Sequence, residues 1–424
     1  MKHNCRSGKT KILNVINHLP PYDIFSSEVE PDRKWNAEDK NWIGIWNDDF
    51  PHLLGKAILK LTDEFDYEIW QPDIRADRVY SHTFENRLTC RVFPAQCIQK
   101  LYGLKRVEEV SSAPMIDALK KEGERGPVIF HLNGSFPGIN KDILETVDNI
   151  PIVFSLHGAQ LEIPSTQFFT FTKNIPSKLG LLSQHIWLKR HINKIHHITY
   201  CSAKNIEHVS RIYKHELKQI TMGCDFSVFK KMDTMQCRKE LQLPLDTFVM
   251  ITVANYNVRK QEDKLIAVLN ALAKRYNFLY IVIGSGQPGY VRYLQNLAQP
   301  LLQKNMIKFE GYRKGEILVK YLSSADMFLS GSLSEGASVS IMEAFACELP
   351  VFSTKTGQTA ELMEKERVGC LADVRSYQEW EYKLEEILKT KKLPKVLDRN
   401  IAKDHYDWCN IAAKFITIYQ NALQ

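Results

Sequence analysis

The chain has 424 residues, of which 44% are hydrophobic and 25% are charged, and its formal net charge is +7. This length exceeds what one ordinary core supports and predicts two domains of about 200 residues each. A charge this modest suits an anionic ligand or a negatively charged membrane surface, and the dispersed basic residues exclude nucleic acid as the expected partner.

The lack of a recognisable targeting signal and the pattern of cysteines both bear on the cellular compartment of the protein. The apolar run at residues 12–16 is too short for a signal peptide, and no stretch approaches the roughly 20 apolar residues of a membrane span. Nine cysteines without C-x-x-C spacing indicate free thiols in a reducing environment rather than a zinc site. The sequence therefore predicts a cytoplasmic protein without a bound metal.

Short apolar runs alternate with helical segments along the chain. In the first half the predicted strands are 11–16, 67–70, 128–132 and 152–156. In the second half they are 248–254, 278–284, 307–310, 327–329 and 351–353, with helices between them at 263–274, 290–302, 315–323 and 340–347. This alternation predicts doubly wound α/β domains that bind ligands at the carboxyl ends of their strands.

Glu335 and Glu343 are the most informative residues. They bracket a strand end, a glycine-containing loop and the start of a helix within residues 330–352. A helix N-terminus after a strand offers unpaired N–H groups to an anion, and glutamates beside it suit hydroxyl groups. Phosphate and polyol together indicate a nucleotide-sugar. The alternative is a solvated loop glutamate and a first-turn glutamate that stabilises its own helix dipole.

The same segment resembles the E-x7-E signature of retaining GT-B glycosyltransferases, the group related to glycogen synthase and sucrose synthase (glycosyltransferase family four). The resemblance implies that Glu343 accepts hydrogen bonds from the ribose and that Glu335 holds a hydroxyl of the transferred sugar. Backbone amides would face the sugar and the distal phosphate, at Gly336, Ala337, Ser338 and Val339.

A second segment, residues 253–261, resembles the phosphate-binding loop of that family. Lys260 matches the phosphate-binding lysine, while Asn255 stands at the usual arginine and Gln261 at the usual glycine. Arg259 would compensate for the missing arginine. The alternative is a solvated Lys/Arg pair at a helix start.

Further strand ends fit the resemblance. Gly284 and Gly286 resemble the family's G-x-G turn, or form a tight strand-to-helix connection. Tyr312 would stack on the nucleotide base, or cap the core. Gly357 fits the family's G-G-x-x-E segment. His157 resembles a histidine that approaches the donor sugar across the cleft, or is a satisfied structural histidine.

The resemblance implies two Rossmann-like domains that face each other across a cleft. We expect an acceptor-binding domain at residues 1–230, a nucleotide-sugar-binding domain at 231–404, and a helix at 405–424 that crosses back to the first domain. Residues 18–22 lack the family's glycine-rich acceptor loop. The basic amphipathic stretch 173–197 indicates either a helix on an anionic bilayer or a surface helix whose apolar side joins the core.

The predicted function is retaining, metal-independent transfer of a hexose from a nucleotide-diphosphate sugar to a saccharide or lipid-linked acceptor, in surface polysaccharide or glycolipid synthesis. The sequence contains no Asp-x-Asp, so the charge on the leaving diphosphate would be met by the protein, and no cofactor is expected. Contact with the inner face of an anionic membrane would suit a lipid-linked acceptor. The alternatives are a nucleotide-sugar-binding protein without turnover, and a sugar-nucleotide epimerase or phosphorylase of the same fold.

Overall fold

The fold is given by a computed structural model. It describes residues 9–17, 50–84, 87–102, 105–134, 136, 138–157, 185–203, 206 and 209–424. The chain divides into two compact units, one comprising residues 1–221 and 408–424, the other residues 222–407. The sequence had placed these changeovers at residues 231 and 405.

The first unit is built on an eight-stranded sheet of order β10-β9-β8-β7-β1-β2-β4-β3. All neighbouring strands are parallel except β3 and β4. The chain starts in the middle of the sheet and winds outward on both sides, so that its switch point lies between β1 and β7. The strands are β1 (Thr10–Val15), β2 (Phe65–Asp73), β3 (Tyr80–Thr83), β4 (Thr89–Pro94), β7 (Val128–Asn133), β8 (Ile152–Leu156), β9 (His197–Tyr200) and β10 (Leu217–Gln219). An antiparallel pair, β5 (Gln96–Tyr102) and β6 (Lys105–Ser111), is inserted before β7.

Helices cover this sheet. Ser112 starts one of them, because its side chain accepts a hydrogen bond from the Met115 N–H and a proline follows in the first turn. The last helix of the chain packs within this unit through buried Phe415 and Tyr419. The described helices are Phe50–Leu61, Ala113–Arg125, Ile139–Thr146, 185–191 and Trp408–Ala422, with 3-10 turns at Ile192–Lys194 and Val209–Arg211.

The second unit has a six-stranded, all-parallel sheet of order β13-β12-β11-β14-β15-β16. Its strands are β11 (Val249–Val253), β12 (Leu279–Ile283), β13 (Ile307–Gly311), β14 (Met327–Ser330), β15 (Val351–Thr354) and β16 (Cys370–Ala372). This is the doubly wound dinucleotide-fold order, with the switch point between β11 and β14.

Both faces of the second sheet are covered by helices. Val249 and Ile251 belong to one hydrophobic cluster, while Met250 between them belongs to another. A strand buried on both faces reads as one continuous apolar run, which is why the sequence located these strands. The helices are Thr234–Glu240, Glu262–Leu272, Pro288–Leu297, Gln299–Leu302, Gly315–Ser324, Val339–Ala346, Gly357–Glu366, Tyr377–Thr390 and Arg399–Tyr406.

The predicted strands are confirmed to within a few residues. The helix predicted at 405–424 is interrupted, since Asp407 is extended (φ −62°, ψ 133°) between two helices. Among the elements that were not predicted are strands β3, β4, β10 and β16, the hairpin β5–β6, and the helices beginning at Thr234, Gly357 and Tyr377. Within the described residues, none of the helices is long and apolar enough to pass through a bilayer.

Two predictions fall wholly or partly outside the described residues. The loop at 18–22 is one, and the first part of the basic stretch, 173–184, is the other. In the described remainder of that stretch, Leu188 and Ile192 are buried and Trp187 packs against the core. This part of the helix therefore uses its apolar side within the first unit.

Candidate functional site

The loop after β11 presents two cations. The side-chain Oδ1 of Asn257 accepts hydrogen bonds from the N–H groups of Arg259 (3.0 Å) and Lys260 (3.2 Å). Asparagine favours such local turns because its side chain can replace a backbone acceptor. The turn directs consecutive basic residues to the carboxyl end of β11.

Gln261 ends this loop in a left-handed conformation, with φ +56°. The glycine expected here by resemblance would adopt this backbone without strain, whereas glutamine requires compensation. Its side chain is buried, and with the amide oriented to satisfy both ends, the nitrogen donates to the Gly331 carbonyl at 2.7 Å and the oxygen accepts from the Tyr377 hydroxyl at 3.0 Å. These hydrogen bonds anchor the start of the next helix.

The loop after β14 is tied to its neighbours at three points. The Leu333 N–H donates to the Arg259 carbonyl (2.8 Å), and the Thr354 hydroxyl donates to the Ser332 carbonyl (2.6 Å). The Gln358 N–H donates to the Gly336 carbonyl (2.9 Å). These bonds fix the backbone on both sides of Glu335, so that its side chain has a defined position beside the β11 loop.

Glu335, Lys260 and Arg259 form one ion-pair cluster. Lys260 Nζ lies 2.6 Å from Glu335 Oε1, and Arg259 Nη1 lies 3.0 Å from Glu335 Oε2. The Ser332 hydroxyl donates to Oε1 at 2.6 Å, and Arg259 also donates to the Ser334 carbonyl at 2.6 Å. The side chains of Glu335 and Lys260 are 7% and 16% exposed, whereas Arg259 is half exposed. The cluster therefore has a buried acid, a partly buried lysine and an arginine at its mouth.

The charge state of Glu335 follows from these contacts. Burial raises the pKa of a carboxyl group, but the positive charges of Lys260 and Arg259 and the hydrogen bonds from Lys260 and Ser332 outweigh it, and the pKa of Glu335 is lowered. The carboxylate is thus ionised at neutral pH and can accept hydrogen bonds from hydroxyl groups.

The helix Val339–Ala346 begins directly after this loop. Its first N–H groups have no partner within the helix, and its dipole places partial positive charge at Ser338 and Val339. Gly336 and Ala337 lie between Glu335 and this terminus, and half-buried Glu343 lies one turn into the helix. An anion and a polyol could be bound side by side here, as the sequence predicted.

Gly357 packs closely against the loop that carries Glu335. It has φ +73°, and a Cβ atom added there would lie 2.8 Å from the Cβ of Glu335 and 3.1 Å from its carbonyl oxygen. Only glycine permits this approach. Together with Ser332, whose contribution was not predicted, Gly357 determines where the Glu335 carboxylate lies.

Gly284 and Gly286 have a packing role. A Cβ on Gly284 would lie 1.8 Å from the Ala254 carbonyl oxygen, and one on Gly286 would lie 2.6 Å from that of Tyr256. The glycines let the turn after β12 run against the loop of exposed Asn255. A tight strand-to-helix connection therefore explains why both positions are glycine. A role of these glycines in donor binding stays a prediction.

Tyr312 follows β13 and is 49% exposed. It therefore does not cap the core, and stacking on a nucleotide base stays a prediction. His157 lies in the first unit, at the carboxyl end of β8, where its Nε2 is 2.8 Å from the Asn133 side-chain oxygen. Of the predicted residues, the structure brings Arg259, Lys260 and Glu335 into direct contact.

Two doubly wound sheets, one all-parallel and the other parallel except for β3 and β4, are the architecture of the GT-B fold. Sucrose-phosphate synthase from Thermosynechococcus elongatus superimposes with a TM-score of 0.70 over 98% of this chain and 99% of that chain, at 16% identity. Anabaena HepE in complex with UDP-glucose gives a TM-score of 0.64 over 97% of this chain and 99% of that chain, at 17% identity. At these identities the likeness establishes the fold.

Residues 233–404 match the family described as glycosyl transferases group 1. The resemblance drawn from the two glutamates is thus confirmed. One human relative, a phosphatidylinositol N-acetylglucosaminyltransferase component, is 27% identical over 176 residues, which are 41% of this chain and 36% of that protein. The chain spans about half the length, or less, of the first curated relatives it matches.

Proposed function

We propose that this protein is a retaining glycosyltransferase that moves a hexose from a nucleotide-diphosphate sugar to a saccharide or lipid-linked acceptor, in surface polysaccharide or glycolipid synthesis. The observation that carries the proposal is the meeting of Lys260, Arg259 and Glu335 at the switch point of the second sheet. It combines two cations for a diphosphate with an ionised acid for sugar hydroxyls, at the edge where doubly wound sheets bind ligands.

The cations act on the leaving group. Cleavage of the bond between the anomeric carbon and the phosphate oxygen builds negative charge on the departing diphosphate, and fixed positive groups stabilise that charge. This stabilisation would come from the side chains of Lys260 and Arg259 and from the backbone amides at the start of the helix Val339–Ala346. Because the sequence has no Asp-x-Asp, we propose that the reaction requires no metal ion.

Glu335 acts on the sugar. Its carboxylate is ionised and held in place, and it would accept hydrogen bonds from a sugar hydroxyl, while Glu343 would accept from the ribose. In the structure Glu335 pairs with the same lysine and arginine that the diphosphate would use. Donor phosphates therefore compete with Glu335 for these cations, and binding of the donor would release the carboxylate to the sugar.

Retention of configuration is proposed from the family resemblance. The acceptor hydroxyl would attack on the face that the diphosphate leaves, and its proton would pass to the departing phosphate oxygen. We also propose that His157 contacts the transferred sugar and is required for turnover. The solved HepE complex contains UDP-glucose, and the human relative is named for phosphatidylinositol. UDP-sugars and inositol lipids are thus the first donor and acceptor to test, and a lipid acceptor would bring peripheral contact with an anionic membrane.

The test is Glu335→Ala, assayed for transfer and slow hydrolysis of UDP-glucose, with nucleotide affinity measured by calorimetry. We expect turnover to fall by at least about a hundredfold, since one fixed hydrogen-bonding group at the reacting sugar is removed. The affinity for UDP should be unchanged or higher, because Lys260 and Arg259 no longer pair with the carboxylate.

Lys260→Ala provides the complementary result, a loss of UDP affinity of about tenfold or more from a missing charged hydrogen bond. Glu124→Ala, at an exposed site of the first unit, is the control and should match the wild type. Turnover by Glu335→Ala at the wild-type rate would contradict the proposal. Nucleotide binding without transfer or hydrolysis by the wild type would favour the binding-protein alternative.

A further inference from the structure

A row of buried polar side chains crosses the first unit beneath the carboxyl ends of its central strands. Asn14 of β1, His131 of β7 and Ser155 of β8 are each at most 1% exposed. Buried polar groups of this kind are stable only when each finds a hydrogen-bond partner. His157 lies at one end of the row, where its imidazole meets the side chain of Asn133.

The orientation of the Asn133 amide follows from its neighbours. Its Nδ2 lies 3.1 Å from the Val15 carbonyl oxygen and 2.5 Å from Asn14 Oδ1. A backbone carbonyl can only accept a hydrogen bond, so the atom facing it must be the amide nitrogen. The other amide atom, Oδ1, then faces His157 Nε2 at 2.8 Å.

This orientation determines the protonation of His157. An amide oxygen only accepts, so Nε2 carries a proton and donates it to Asn133. In the neutral ring Nδ1 is then unprotonated. The tautomer of the histidine that we propose to contact the sugar is therefore set by an asparagine that lies beneath it.

The amide of Asn133 is itself locked from below. Asn14 accepts from it through Oδ1 and donates through Nδ2 to the Tyr67 hydroxyl. The same Nδ2 faces His131 Nδ1 at 3.4 Å, so that this ring nitrogen is an acceptor. Reversing the Asn133 amide would set oxygen against oxygen at both Val15 and Asn14, a cost of the kind that buried unsatisfied groups impose.

In the rest of the row, the hydrogen bonds run from the Tyr419 hydroxyl through His131 to Ser155. The Tyr419 hydroxyl donates to His131 Nδ1 at 2.6 Å, and His131 Nε2 donates to the Ser155 hydroxyl at 2.7 Å, which lies 2.7 Å from that of Thr199. Complete burial lowers the pKa of His131, so its ring is neutral and keeps this donor and acceptor pattern.

The plane of the His157 ring is also constrained. The Phe50 ring packs on it with centroids 4.1 Å apart. Phe50 in turn contacts the rings of Trp408 and Phe415 from the last helix, each at 5.8 Å. Asn133 thus fixes one edge of the imidazole while an aromatic cluster fixes its face.

We propose that Asn133 is a positioning residue for His157, which holds the imidazole in one orientation with the proton on Nε2, and that Asn14 holds Asn133 in turn. The consequence for the reaction rests on the proposed function, in which His157 contacts the sugar. The arrangement of the side chains does not depend on it.

The test uses the full chain labelled with 15N-histidine, and two-bond 15N–1H correlation spectra report the tautomer of each ring. The His157 signals are assigned by their loss in His157→Asn. The wild type should show the Nε2-protonated pattern. Asn133→Ala should shift His157 to a mixture of tautomers, and should lower kcat about tenfold with a smaller change in KM, as for loss of one positioning hydrogen bond.

Asn133→Asp retains an acceptor toward His157 but sets its second oxygen against Val15 and Asn14, so its fold is first checked against the wild type by circular dichroism. In the folded variant, at a pH where the ring is neutral, the Nε2-protonated pattern should remain, which separates positioning from folding. Thr199→Val, at the far end of the row, should leave the His157 signals and kcat unchanged. An unaltered His157 pattern in Asn133→Ala, or its loss in a folded Asn133→Asp, would overturn the proposal. If the wild type has no transferase activity, the proposed function fails while the spectra still decide the role of Asn133.

Discussion

Glu262 directly follows the loop after β11 and is 1% exposed at the start of the helix Glu262–Leu272. Burial raises the pKa of its carboxyl to about 8, because transfer of the charged form out of water is unfavourable; a backbone hydrogen bond and the charge of Lys260 oppose this only in part. An acid of this kind, two residues after Lys260, is protonated in the folded protein at neutral pH.

The stability of the protein should therefore depend on pH through Glu262. Its folded pKa lies above the ordinary value of 4.5, so the folded chain binds this proton more tightly. The contribution is fully favourable below about pH 4.5, decreases as pH rises toward about 8, and is constant above that. Glu262→Gln removes it, and should gain stability relative to the wild type over this interval, by a few kcal/mol.

Urea denaturation of both proteins from pH 5 to pH 9, followed by circular dichroism, measures this difference. Glu124→Gln, at an exposed position, should follow the wild-type profile. Parallel profiles for the wild type and Glu262→Gln would show that the carboxyl does not titrate as described.

At this scale the sequence supplied the residue types of the candidate site but not the details that hold them. Lys260 and Glu335 were selected from strand ends and spacing, and the structure places them 2.6 Å apart. The left-handed Gln261 was not foreseen, because the hydrogen-bond partners of its side chain lie more than 65 residues away along the chain. Contacts between residues so far apart in the sequence produce no local sequence pattern from which they could be predicted.

At the scale of the element, the loop that carries Glu335 depends on its neighbour. The first residue of the helix Gly357–Glu366 lies against the Glu335 backbone and has a conformation that side chains rarely adopt. The position of the acid is therefore determined by a helix start more than twenty residues further along the chain. Strands here were predictable from their doubly buried apolar runs, whereas this helix was not, since its sequence is mostly polar.

Gly357→Ala should lower turnover by displacing Glu335, and should destabilise the second unit by about 1 kcal/mol or more. Gly289→Ala is the matched control, because a Cβ there meets nothing within 4 Å. That change lies in the first turn of a helix and should be neutral or stabilising by about 0.4–1 kcal/mol. Turnover assays and thermal melts compare the two, and wild-type turnover by Gly357→Ala would refute the supporting role.

At the scale of the whole molecule, the last helix belongs to the unit that begins the chain. Phe415 and Tyr419 are buried there, and Gln420 donates to Glu64 at 2.8 Å. The length of the chain predicted two units, and the family resemblance predicted a returning helix. The interruption at Asp407 was not predicted, since residues on both sides of it have helical patterns.

Phe415→Ala should therefore destabilise the first unit by about 3–5 kcal/mol, the usual cost of removing a buried aromatic ring. Thr417→Ala, on the exposed side of the same helix, should change stability by less than about 0.5 kcal/mol. Hydrogen exchange resolves the effect by strand: protection should fall in β1, β7 and β8 and persist in β11 and β12. Equal loss in both sheets would contradict this assignment.

The division of the first unit between the two ends of the chain bears on biosynthesis. A ribosome must complete all of residues 222–407 before the helix that closes the first unit is made. At about 5–20 residues per second this interval lasts roughly 10–40 s. During it the nascent first unit exposes the apolar surface later covered by Phe415 and Tyr419, which makes that surface a binding site for chaperones until the last helix is made.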